Sequence, residues 1–332
     1  MKILVVTPNW IGDVLMAQPL LRHIKADPST QLTVLAPEWV AAVLDAMPEV
    51  DAVVRSPLRH GVLDWQAQRQ LARHIRALDF DRAIILPNSF KSALIPWMAR
   101  IPERIGYRNE GRAVLLSRSF EDPGKEIPMI QRYLRLVTDA TGSDLAPRLV
   151  VDPERSAQLF EDLGLGQGRP VIALCPGAEF GPAKRWPAAH YTRLADLLYS
   201  ADPRRELILL GSKADAQTAG EIAAASAAPV RVLAGQTSLD EAIALIAGAQ
   251  AVVSNDSGLM HIAAALERPQ VALFGSSDPR HTPPRSARAQ VLWLHLECSP
   301  CFKRVCPLGH LNCLNQIAPE EVLRALETAL AD

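Results

Sequence analysis

Val253-Ser254-Asn255-Asp256-Ser257-Gly258-Leu259-Met260-His261-Ile262-Ala263-Ala264-Ala265-Leu266 joins an apolar strand, Ala251 to Val253, to a helix of alanine and leucine through a short polar turn. Ser254, Asn255, Asp256 and Ser257 are all residue types that cap helix N-termini, and Gly258 lets another group come close to the backbone. A helix start offers unpaired N–H groups and the positive end of its dipole, which suits a phosphate. His261, one turn in, is within reach of the same anion. The stretch reads as a diphosphate site at a strand-to-helix junction of an α/β protein; an ordinary capped helix with a structural histidine is the alternative that these residues alone leave open.

Outward from this junction the same alternation continues. In the second half Val171–Leu174, Leu207–Leu210, Val230–Leu233 and Val271–Phe274 read as further buried strands, with helices predicted over 191–199, 214–225, 239–247 and 259–266. A final amphipathic helix, 320–331, follows Pro319, a favoured helix-start residue. The first half gives strands at 3–7, 32–35, 52–54 and 83–86, and helices at 13–25, 38–46, 64–78 and 89–99, closed by a longer helix over 129–141. Strand–helix alternation at this spacing predicts parallel sheets with helices on both faces. Residues 141–169 are rich in Gly, Pro and charge and read as containing the linker. At 332 residues the chain exceeds one typical domain, so two doubly wound, Rossmann-like domains are expected, 1–155 and 156–332, facing a central cleft at the carboxyl ends of their strands. The final helix is free to pack back on the first domain.

Bulk properties narrow the function. Thirty-five Lys and Arg against 36 Asp and Glu leave a net charge of −1, which gives no electrostatic footprint for nucleic acid. No window reaches 18 unbroken apolar residues, so no membrane span is expected. The opening Met1-Lys2-Ile3-Leu4-Val5-Val6-Thr7 is too short an apolar run for a signal peptide and reads as a first strand. A cytoplasmic protein is expected, with peripheral contact at a membrane surface compatible with this reading. Of five cysteines, Cys175 stands alone, while Cys298, Cys301, Cys306 and Cys313 crowd together with His310 among them. In a reduced compartment such a cluster is a metal site or plain thiols. Only the first pair has zinc-knuckle spacing, which favours reduced structural thiols and no metal.

The first strand ends in Thr7-Pro8-Asn9-Trp10-Ile11-Gly12-Asp13, where a dinucleotide fold wants G-x-G-x-x-G and only Gly12 is present. Asp13 falls in the first helical turn, where it serves either as a base for a hydroxyl proton or as compensation for the helix dipole. The first strand of the second half leads into Cys175-Pro176-Gly177-Ala178-Glu179-Phe180-Gly181-Pro182-Ala183-Lys184-Arg185-Trp186-Pro187. Small residues expose N–H groups there and Lys184 and Arg185 add charge, a cradle for a leaving diphosphate, though not a Walker loop. Asp215, after Gly211-Ser212-Lys213-Ala214, is a ribose ligand or a helix cap. From Asn88 to Arg135 nine Lys and Arg face five Asp and Glu, which suits an anionic substrate if the excess is more than solvated helix faces. Asn88, Lys91, Arg108 and Arg112 are the candidate contacts.

Together these segments resemble the lipopolysaccharide ADP-heptose heptosyltransferases, glycosyltransferase family 9, and within them the subgroup that adds the second inner-core heptose. The resemblance runs through Lys2–Val6 with Gly12-Asp13, Leu86-Pro87-Asn88-Ser89-Phe90-Lys91-Ser92-Ala93-Leu94, Cys175–Pro187 and Ser254–Leu266. It implies a GT-B architecture, an N-terminal acceptor-binding domain, a C-terminal ADP-heptose-binding domain and inverting sugar transfer that needs no cofactor or metal. By resemblance Asp13 is the catalytic base and Lys184 the lysine at the donor phosphates. Gly177, Ala178, Asp215, Asp256, Ser257, Gly258 and His261 join Lys184 in donor binding, and the acceptor is the anionic, Kdo- and phosphate-bearing inner core. A nucleotide-sugar 2-epimerase of similar shape, or a non-catalytic sugar-nucleotide or metal-binding protein, is the alternative.

Overall fold

The computed structural model describes residues 1–58, 64–138 and 145–331. The chain divides into two compact units, Met1–Pro147 and Arg148–Asp332, a boundary somewhat earlier than the expected 155/156. The first unit holds strands β1 Lys2–Val6, β2 Gln31–Pro37, β3 Ala52–Ser56, β4 Arg82–Ile85, β5 Glu103–Tyr107 and β6 Arg118–Phe120. Its helices are α1 Ile11–Lys25, α2 Ala41–Asp45, α3 Trp65–Ala77, α4 Phe90–Met98 and α5 Met129–Leu134. The second unit opens with helix α6 Pro153–Asp162 and holds β7 Val171–Cys175, β8 Glu206–Leu209, β9 Val230–Val232, β10 Ala251–Asn255, β11 Gln270–Phe274 and β12 Ala289–Trp293. Between and after them run α7 Ala188–Ala201, α8 Ala216–Ala225, α9 Leu239–Gly248, α10 Gly258–Ala265, α11 Asn312–Asn315 and α12 Pro319–Ala331.

The sheets run β3-β2-β1-β4-β5-β6 and β12-β11-β10-β7-β8-β9, parallel throughout. Renumbered within its own unit, the second order read backwards is again 3-2-1-4-5-6, the doubly wound order. Strands covered on both faces must be apolar along their whole length, and β7, β10 and β11 are buried at every position. In such a sheet the strand order reverses between the first and fourth strands, and the loops leaving those two strands flank the crevice where ligands bind. In the first unit these loops are Thr7–Trp10 and Leu86–Ser89; in the second they are Pro176–Pro187 and Asp256-Ser257. All four stretches singled out in the sequence fall there.

Several elements differ from expectation. The strands β5, β6 and β12 were not foreseen: β6 and β12 are edge strands, and the charged residues of E-R-I-G-Y and R-S-F break the apolar run. The helix expected over 129–141 ends at Leu134, where the bonds tighten to Leu136 N to Tyr133 O and Val137 N to Leu134 O; its last residues, 139–141, lie outside the described residues, as does the start of the expected linker. The rest of that linker holds α6, whose N-cap Asp152 accepts from Glu154 N (3.0 Å) and whose first position is Pro153. Helix α12 packs on α7, β10, β11 and β12 of its own unit.

Candidate functional site

In the second unit the donor half is assembled around Asn255 at the end of β10. Its Oδ1 accepts from Trp186 N (3.1 Å) and from the Tyr191 hydroxyl (3.2 Å), and its Nδ2 donates to Pro176 O (2.7 Å). One buried amide thus ties the β10 end to both ends of the Pro176–Trp186 loop and sets where Lys184 stands. Lys184 Nζ meets Asp256 Oδ2 at 2.5 Å, and the Ser277 hydroxyl donates to the same oxygen. Asp256 is only 5 % exposed. A carboxylate held this way aims the ammonium and itself repels phosphate, so Asp256 positions the lysine; the sequence placed it among the direct donor contacts. The Phe180 ring lies under Lys184 Nζ, 5.2 Å from its centroid.

Helix α10 starts from Ser257 in an extended conformation, and among the described residues no side chain caps it. Ser257 Oγ pairs instead with Ser254 Oγ (3.1 Å). The first N–H groups, beginning at Gly258, are therefore available to an anion beside Lys184. His261 is buried in the same turn. Burial pushes its pKa down to about 4, Lys184 adding to the shift and Asp256 opposing it. The imidazole is neutral at neutral pH, so Lys184 supplies the charge.

Asp215 sits at the end of a capping box. Its Oδ2 accepts from Ser212 N (2.9 Å) and Ser212 Oγ (2.7 Å), and Arg185 Nη2 stands 3.4 Å from Oδ1. The cap reading holds for this carboxylate, since its oxygens are engaged within the loop. It also explains Gly177: a Cβ there would collide with the Asp215 carboxylate. Ala178 is buried, and its carbonyl accepts from Arg185 Nε (3.3 Å). Cys175, behind the loop, is buried, which raises its thiol pKa far above the ordinary range.

In the first unit Asp13 lies in the opening turn of α1, partly exposed, after an N-cap, Trp10, whose side chain does not cap. Helix α5 packs on α1. Its Tyr133 is buried, and that burial, with the Asp13 charge nearby, keeps the phenol protonated. Lys91, at the start of α4, lines a cavity of about 90 Å³ with Thr7, Asn9, Pro37, Gln68 and Ser89 at the carboxyl ends of β1, β2 and β4. Asn88 is engaged: Nδ2 donates to Asp122 Oδ2 (2.6 Å), and Oδ1 accepts from Arg112 Nη2 (3.3 Å). Asp122 is gripped by both arms of Arg132 at 2.7 Å, which holds its carboxyl far below the usual range.

Arg112 corrects an expectation. It is 0 % exposed and donates to Tyr107 O (2.6 Å), Ser92 Oγ (3.1 Å) and Pro87 O. Its arms are spent on the turn between β4 and α4 and on the end of β5, so in this structure it is an internal strut rather than an exposed contact. Arg108 is exposed and pairs with Glu121 at 2.9 Å. The sequence reading missed Asn255 as the organiser, Ser277 as a partner of Asp256, and the Asp122–Arg132 pair. Ser277 was legible in kind, since Gly275-Ser276-Ser277 is one more small, polar loop leaving a strand.

A doubly wound unit with a lysine and an uncapped helix start at its switch point, preceded by a second unit of the same topology, defines a glycosyltransferase of GT-B architecture. Comparison with known proteins makes this specific. Residues 68–312 match the model of glycosyltransferase family 9 (heptosyltransferase). The chain is 42 % identical over 347 aligned positions to lipopolysaccharide heptosyltransferase 2 of Salmonella typhimurium, covering 100 % of this chain and 99 % of that protein. It is 39 % identical to lipooligosaccharide heptosyltransferase 2 of Haemophilus influenzae, with full coverage of both. The solved structure of Escherichia coli ADP-heptose lipopolysaccharide heptosyltransferase II superposes with a TM-score of 0.87 at 40 % identity, covering 100 % of this chain and 99 % of that one. The chain belongs to glycosyltransferase family 9, the heptosyltransferases. Among the described residues no helix is long and apolar enough to cross a membrane.

Proposed function

We propose that this enzyme transfers heptose from ADP-heptose to the first heptose of the lipopolysaccharide inner core, with inversion at the anomeric carbon. The observation that carries the donor assignment is the Lys184–Asp256–Ser277 cluster beside the uncapped start of α10. Full-length similarity to proteins named heptosyltransferase 2 supports the acceptor.

In this reading the ADP diphosphate lies on the α10 N–H groups, with the Lys184 ammonium on its oxygens. As the bond from the anomeric carbon to phosphate lengthens, negative charge grows on the departing ADP, where fixed donors stabilise it. Asp13 takes the proton of the acceptor hydroxyl as its oxygen attacks the opposite face of the sugar. A single displacement inverts that centre. Lys91 and Arg108 offer charge to the carboxylates and phosphates of the acceptor.

The purified protein incubated with ADP-heptose and a mono-heptosylated core acceptor is expected to add one heptose and release ADP, read by product mass, with the opposite anomeric configuration by NMR. Release of nucleotide from ADP-heptose alone at the same rate, without a mass increase on the acceptor, would instead indicate an epimerase-like reaction.

A further inference from the structure

The sugar transfer leaves four cysteines unused. Cys298, Cys301, Cys306 and Cys313 are spread over sixteen positions of sequence, yet all four line one cavity of about 20 Å³, together with Ala183 and Ser276. All are free thiols. Cys313 is buried, with the other three sulfurs as its neighbours. Ser276 is 1 % exposed, and its hydroxyl, in the wall of this cavity, has no hydrogen-bond partner among the described residues. A buried polar atom left unpaired at a cavity is a place for a bound group. His310 is otherwise engaged: its Nδ1 accepts from Asn312 N (3.0 Å) and its carbonyl from Asn315 Nδ2 (2.7 Å).

We propose that Cys298, Cys301, Cys306 and Cys313 bind a single thiophilic metal ion, zinc or mononuclear iron, in a tetrahedral tetrathiolate site. Among the described residues no group of three or more His, Cys, Asp or Glu side chains is placed to hold a metal ion as it stands; the proposed site requires the four thiols to turn into the cavity they line. Binding exchanges four thiol protons for the metal, and the protons pass to solvent.

The site is a staple for the donor half. Arg304, within the cysteine segment, accepts through its carbonyl from Ala183 N (3.0 Å) and donates from Nε to Phe180 O (2.8 Å). At Gly181, where φ is +149°, a Cβ would press into the Arg304 carbonyl. Phe302 N donates to Ser276 O (2.7 Å) and Ser299 Oγ to Gly275 O (2.6 Å). The cysteine segment thus grips both the loop carrying Lys184 and the loop carrying Ser277. The metal is structural, takes no part in the transfer, and stands independently of the acceptor assignment.

The test uses the full chain, produced with zinc and iron in the medium and purified reduced without chelator. Elemental analysis is expected to find about one zinc or iron per chain. After removal of the metal under reducing conditions, titration with Co²⁺ should produce sulfur-to-cobalt charge-transfer absorption and the intense bands of a tetrahedral site. Cys306→Ser and Cys313→Ser should lose metal and both absorptions, whereas Cys175→Ser, on β7, should keep them. A chain that contains no metal and shows no tetrahedral cobalt spectrum overturns the proposal. So does metal that persists in both serine variants, or two disulfides among these cysteines in protein kept anaerobic. If the serine variants do not fold, the cobalt spectrum of the unaltered chain decides.

Discussion

A neutral, buried histidine one turn inside the uncapped helix α10 has a consequence in acid. His261 has its pKa pushed down to about 4 from an ordinary 6.5, chiefly by burial. Between those values the unfolded chain takes up a proton that the folded chain refuses, so stability falls as pH drops from about 6.5 to about 4. A shift of this size corresponds to at most about 3 kcal/mol. His190 is shifted in the same direction, also by burial, so the comparison must be with a single variant. His261→Gln is expected to flatten the loss of urea-unfolding free energy across this window while leaving the value at pH 8 within about 1–2 kcal/mol. An unchanged slope would mean that the imidazole is not shielded from solvent. In the sequence His261 could be placed on the helix but its protonation could not, because that depends on the strands packed around it.

At the scale of elements, the same limit explains why Arg112 was misread. A buried arginine and a solvated one are the same letter, and the nine-to-five excess over residues 88–135 contains both kinds. What separates them is the fold around Arg112: the Pro87 carbonyl after β4 and the Tyr107 carbonyl at the end of β5 need a donor and find it there. The central strands, their doubly wound parallel arrangement and the strand-end loops were legible, since they rest on apolar runs and small, polar junctions. The edge strands β6 and β12, the interior β5 and the short α11 carry weaker patterns and were not. Helix α6 was readable from Asp152-Pro153, but the surrounding Gly, Pro and charge read as linker. Arg112→Ala leaves buried carbonyls unpaired and opens a void, so a loss of about 2–5 kcal/mol in chemical denaturation is expected. Charge reversal at Lys91 and Arg108 should cost little stability, because the exposed Arg108–Glu121 pair is worth only about 0–1 kcal/mol. It should instead raise the acceptor KM, with the effect shrinking as salt rises. Unchanged acceptor KM at low salt in a folded double variant would place the acceptor site elsewhere.

For the molecule as a whole, two units of one topology each place their chemistry at the switch point of a parallel sheet. The repeated architecture does not imply repeated function. The first unit offers a carboxylate at its helix start, Asp13, and the second a cation, Lys184, with a bare helix start. The proposed base and leaving-group stabiliser are therefore separable by substitution. Asp13→Asn should lower turnover by roughly 10²–10⁴-fold, as for a lost general base, with ADP affinity by calorimetry unchanged. Lys184→Ala should weaken ADP binding by about 1.5–3 kcal/mol, the range of a hydrogen bond to a charged group. It also leaves Asp256 as an unpaired buried carboxylate near the diphosphate, so Lys184→Ala with Asp256→Asn should bind ADP better than Lys184→Ala alone. Equal ADP affinity in the single and double variants would show that the carboxylate lies too far from the diphosphate to be felt, and that Lys184 meets the donor by some route other than its Asp256 contact.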